Sequence, residues 1–110
     1  MRLLLKAATE LMDAYRRTPG IKPEVFARTG AYRQFVEAEL QAGLTGPDVE
    51  MDSDFAERRP QWVAGANDEE LRRWVHTMLR ADRWNGDYPT ALWDACRSGA
   101  MSALVERLES

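Results

Sequence analysis

The chain has 110 residues, 45% of them hydrophobic, with four tryptophans and a formal net charge of −3. That length suits one core and is short for two, and the apolar content excludes a globally disordered polymer. A single cysteine, Cys96, excludes an internal disulfide, so nothing in the cysteine usage points to secretion.

The opening Met1-Arg2-Leu3-Leu4-Leu5 is broken by Lys6, Glu10 and Asp13. No signal-peptide core or membrane span is expected there, and a cytoplasmic protein with one domain over 1–110 is the default. From about Leu3 to Arg17, apolar residues at Leu4, Ala8, Leu11, Met12 and Tyr15 predict a first helix. Thr18-Pro19-Gly20 ends it, and Pro23 suits the first turn of a short helix carrying Val25 and Phe26. A third helix groups Tyr32, Phe35, Val36 and Leu40, and Gly43-Leu44 reads as its glycine cap.

Across 47–66 the pattern changes. Asp48, Glu50, Asp52 and Asp54 alternate with Val49, Met51, Ser53 and Phe55, a period of two that suits a short extended segment near 48–55. Asp54 with Glu57 forms a candidate cap before Pro60, and Trp62 and Val63 need burial. The strongest element runs from about Asp68 to Arg83, with Asn67 and Glu70 as a capping pair and Leu71, Trp74, Val75, Met78 and Leu79 as its apolar stripe. A turn at Asn85-Gly86-Asp87 leads to a helix from Pro89 through Leu92, Trp93 and Cys96. Ser98-Gly99 closes that helix, and a last one carries Met101, Leu104, Val105 and Leu108. The fold class is therefore all-α, a compact bundle of five to six short helices.

Charge is segregated along the chain. Residues 1–47 hold seven basic and five acidic residues, residues 48–70 two and eight, and residues 71–110 six and five. Thirteen of the fifteen basic residues are arginine, which suits bidentate pairing with carboxylate or phosphate but equally follows from a GC-rich genome. On the strongest helix, Arg72, His76, Arg80 and Arg83 fall within a sector of roughly 80°, with Arg73 at its border. This stripe has three readings: a surface for phosphate or a carboxylate-rich partner, an ordinary solvated face, or a counterpart to the acidic segment of the same chain.

No catalytic or metal-binding constellation emerges. Cys96 shares a helical face with Leu92, which predicts a buried, inert thiol, and His76 lies off the apolar stripe, as a surface histidine would. A calcium loop counted from Asp48 would place Ser53 and Arg59 where glycine and glutamate are required, and counted from Glu50 it would place Phe55 and Gln61 there. One histidine and one cysteine are too few for zinc. No cofactor and no enzymatic activity are expected. Trp74 belongs to the core by periodicity, whereas Trp84 and Trp93 flank the turn at 85–89 and are expected to pack on one another or on that turn. An exposed tryptophan would instead suggest an interface anchor.

The run Leu71-Arg72-Arg73-Trp74-Val75-His76-Thr77-Met78-Leu79-Arg80-Ala81-Asp82-Arg83-Trp84 continues through Gly86, Ser98-Gly99 and Leu104 to Leu108. Over 67–108 this resembles a family of small bacterial proteins known only as a domain of unknown function. The resemblance implies a helical arrangement and no activity, catalytic residue or ligand.

Small size, acidity and segregated charge favour a non-enzymatic protein-binding module. In general character it is similar to inhibitors from phages and mobile elements, such as anti-CRISPR and anti-restriction proteins. Such a module would meet a basic, nucleic-acid-handling partner through Asp48, Glu50, Asp52, Asp54 and Glu57. The alternative is a nucleic-acid-binding or regulatory module using Arg72, Arg80 and Arg83, against which net acidity counts.

Overall fold

The structure, a computed structural model, describes residues 2–41, 58–84 and 89–109. Seven helices and no strand occur among them: α1 (Arg2–Arg17), α2 (Pro23–Phe26), α3 (Gly30–Gln41), α4 (Pro60–Gly65), α5 (Asp68–Trp84), α6 (Ala91–Ser98) and α7 (Ala100–Glu109). The all-α architecture is the expected one. The helix beyond the expected five or six is α4, a short element started by Pro60 at its first position. It buries Val63 completely and sets the Trp62 ring edge-on to Trp74, 6.4 Å between centroids. The extended segment near 48–55, the Gly43 cap and the turn at 85–87 lie outside the described residues.

One core draws on every helix. Leu4, Ala8 and Leu11 of α1, Phe26 of α2 and Phe35 of α3 meet Leu71, Trp74, Val75 and Met78 of α5, all fully buried. Leu92 of α6 and Met101 and Leu104 of α7 complete it. The stripe on α5 is therefore the one its period requires. Its N-terminus is closed reciprocally: the Glu70 amide donates to Asn67 Oδ1 (2.8 Å), and the Asn67 amide donates to Glu70 Oε1 (3.1 Å). At the other end of the chain, α6 stops because Gly99 adopts φ +92°, a left-handed conformation open to glycine at no steric cost.

Two helices turn differently from expectation. On α3, Phe35, Ala38 and Glu39 face inward while Leu40 is exposed, so a carboxyl group takes an interior position that the apolar pattern had assigned to leucine. Trp93 is held from elsewhere in the chain, and residues 85–88 of the turn it is also expected to meet lie outside the described residues. Its indole N–H donates to the Ile21 carbonyl (2.8 Å), and the Arg97 guanidinium lies 4.9 Å from its ring centre. Among the described residues, no helix is long and apolar enough to cross a membrane.

Candidate functional site

The interior polar chemistry gathers where α3 crosses α5. Tyr32, near the start of α3, donates its hydroxyl hydrogen to Asp82 Oδ2 near the end of α5 (2.6 Å). Glu39, near the end of α3, pairs through Oε1 with His76 Nδ1 in the middle of α5 (2.8 Å). Advancing along α3 thus means retreating along α5, so the two helices are antiparallel and pinned by two polar contacts. Between the pins lies a cleft of about 300 Å³. Val36, Leu79 and Pro89 supply its apolar lining, and Tyr32, Glu39, Asp82 and Arg83 its polar groups.

Asp82 joins three helices. It is 5% exposed. Besides Tyr32 it accepts the Ala91 amide at Oδ1 (2.7 Å) and the Leu92 amide at Oδ2 (3.4 Å), the first donors of α6. A helix of α6's length has amides at its first turn without intrahelical acceptors, and a carboxylate there also favours the helix dipole. Burial is the largest influence on Asp82 and raises its pKa. The bonds from Tyr32, Ala91 and Leu92 act in the opposite direction, and the charge of Asp94 raises it further. Burial, followed by the charge of Asp82 and the hydrogen bond to it, raises the Tyr32 phenol. Tyr32 therefore stays a proton donor, and the contact is a strut rather than an acid–base pair poised to exchange.

His76 corrects the reading of the arginine stripe. Its side chain is 13% exposed and that of Glu39 5%, so the imidazole faces α3 and is not a surface group. Arg72, Arg73 and Arg83 are exposed, and Arg80 is half-buried. The five acids proposed for recognition, Asp48, Glu50, Asp52, Asp54 and Glu57, lie outside the described residues. Cys96 is buried as expected, and burial pushes its thiol up to about 12, against a smaller lowering by Arg16. A thiol so placed supplies no nucleophile at neutral pH. No group of three or more His, Cys, Asp or Glu side chains suited to a metal ion occurs among the described residues.

Glu39 and Asp82 are the two residues that the sequence reading missed. Both carried a signal: each continues the apolar spacing of its helix, Glu39 four residues after Phe35 and Asp82 four after Met78. An acid on an apolar stripe must find a partner. Trp84 is the opposite case, a large aromatic left 73% exposed at the end of α5 beside Arg83. Comparison of the chain with protein-family models, curated proteins and solved structures gives no match.

Removing one member of the buried pair strands the other. His76→Ala is expected to lower the unfolding free energy by about 3 kcal/mol, as measured by urea denaturation. A loss below about 0.5 kcal/mol, the range of an ordinary surface change, would show that Glu39 does not depend on it.

The raised pKa of Asp82 fixes a sign for pH dependence. Above the ordinary aspartate value of about 4, the unfolded chain releases this proton before the folded chain does. The folded state then binds more protons, so this group's contribution to stability is full at low pH and is lost as pH rises through the folded value. Asp82→Asn has no such titration. Wild type should therefore lose stability relative to Asp82→Asn as pH rises from about 4 toward neutrality; a constant or opposite difference across a denaturation series would contradict it.

Proposed function

We propose that this chain is a small non-enzymatic binding module acting through protein–protein contact, as an inhibitor or regulator of a basic, nucleic-acid-handling partner such as those targeted by phages and mobile elements. The observation that carries the contact reading is Trp84. The chain packs Trp74 fully and Trp62 and Trp93 against its core, yet leaves Trp84 73% exposed. Tryptophan and arginine are the residues most enriched where binding energy concentrates, and Arg83 adjoins Trp84 on the same helix end. The buried titratable groups are meanwhile engaged in structure: Asp82 caps α6, His76 holds Glu39, and the Cys96 thiol is suppressed by burial. Support for a basic partner comes from charge, a net −3 with eight acids between 48 and 70.

The exposed Arg83 beside Trp84, with Arg72 exposed toward the other end of the same helix, favours a second reading, in which arginines and an aromatic hold single-stranded nucleic acid by phosphate contact and base stacking. Net acidity weakens it, since nucleic-acid affinity is dominated by counterion release from a basic surface.

Trp84→Ala separates these readings. Because Trp84 is exposed, the variant should keep its stability to within about 0.5 kcal/mol. In capture from lysate of the source cells, wild type should retain a protein that survives nuclease treatment, and Trp84→Ala should bind that protein at least about 30-fold more weakly. Retention lost on nuclease treatment would favour the nucleic-acid reading, and equal capture by both proteins would remove Trp84 from the interface.

A further inference from the structure

The two carboxyl groups of the α3–α5 cleft are not equivalent. Asp82 is satisfied, with the Ala91 amide on one oxygen and Tyr32 and Leu92 on the other. Glu39 is 4% exposed, and among the described residues its one hydrogen bond is between Oε1 and His76 Nδ1. Its second oxygen accepts no hydrogen bond from the described residues. For a carboxyl oxygen within reach of solvent, the strongest available partner is a protonated nitrogen. Glu39 also lines the cleft, where Val36 and Leu79 offer apolar wall beside it.

We propose that this cleft is a binding site for a primary ammonium group carried on a short apolar chain, with the ammonium seated on the second oxygen of Glu39 and the chain lying along Val36 and Leu79. A volume of about 300 Å³, at the lower end for small-molecule sites, admits such a chain. Arg83 lies seven residues along α5 from His76, roughly 10 Å by helical rise. Arg83 and Asp82 both line that end of the cleft, where their opposite charges offset one another. The same chemistry comes from a free alkylamine or from the side chain of a partner's lysine. The lysine source rests on the protein-contact function proposed above; ammonium binding itself does not.

Titration of the 15N-labelled protein with n-butylamine, with Nα-acetyl-lysine methylamide and with neutral n-pentanol tests this directly. Saturable shifts at residues 36, 39, 79 and 83 are expected for an ammonium probe and not for the alcohol. Saturation by the lysine derivative points to a partner side chain, and saturation by butylamine alone to a small free amine; each sustains the site. Glu39→Gln should weaken binding at least about tenfold. If that variant is poorly folded, Val36→Phe fills the cleft while leaving the Glu39–His76 pair in place, and it should abolish the shifts. No saturation by either ammonium probe up to about 10 mM, equal binding of the alcohol, or undiminished binding in folded Val36→Phe would overturn the proposal. Because none of these measurements involves Trp84 or a partner protein, their failure would leave the contact reading to its own test.

Discussion

The carboxylate of Asp82 ties α5 to the phenol of Tyr32 on α3 and to the first amides of α6. Each of those groups is donor-rich and withdrawn from water, and no single apolar contact could satisfy all of them. Burying the charge is costly, and burial is accordingly the dominant influence on its pKa. Three donors offset that cost and fix the direction in which α6 leaves α5. The position of α6 then determines where Cys96 and Leu92 enter the core and where Trp93 reaches the Ile21 carbonyl.

The second pin, between Glu39 and His76, acts differently. It leaves one carboxyl oxygen without a donor among the described residues, beside apolar wall supplied by Val36 and Leu79. One pin is saturated and the other is half-saturated, so the seam between α3 and α5 is structural at one end and receptive at the other. Trp84 stands exposed at the saturated end, next to Arg83, which also borders the cleft. The surface proposed for partner contact and the cleft proposed for an ammonium group therefore share one element, α5. That helix is anchored by a capped N-terminus and by the fully buried Leu71, Trp74, Val75 and Met78, which suits a presenting element better than a loop would.

Much of this was legible in the sequence wherever a local rule acted alone. The α5 stripe follows from periodicity, its start from the Asn67–Glu70 pair, and the end of α6 from Gly99, because each depends on neighbours within a turn or two. What escaped were long-range pairings. Leu40 is more hydrophobic than Glu39, so a count of apolar residues turns α3 outward by one position. The pairing with His76, 37 residues away, offsets the cost of turning Glu39 inward with Phe35 and Ala38. Proximity in sequence suggests that Trp84 and Trp93 meet each other or the turn between them, whereas the indole of Trp93 donates to a carbonyl 72 residues distant. The two acids on apolar stripes, Glu39 and Asp82, were the visible trace of these pairings, since an acid at such a position requires a partner somewhere in the fold.

Asp82 either holds the three helices together or merely occupies a gap between them. Urea unfolding of Asp82→Ala compared with wild type at neutral pH measures this most directly. With the Tyr32 hydroxyl and the Ala91 and Leu92 amides left without their acceptor, a loss of about 3 kcal/mol or more is predicted. A loss below about 0.5 kcal/mol would contradict it, placing Asp82 among residues whose contacts the fold does not need.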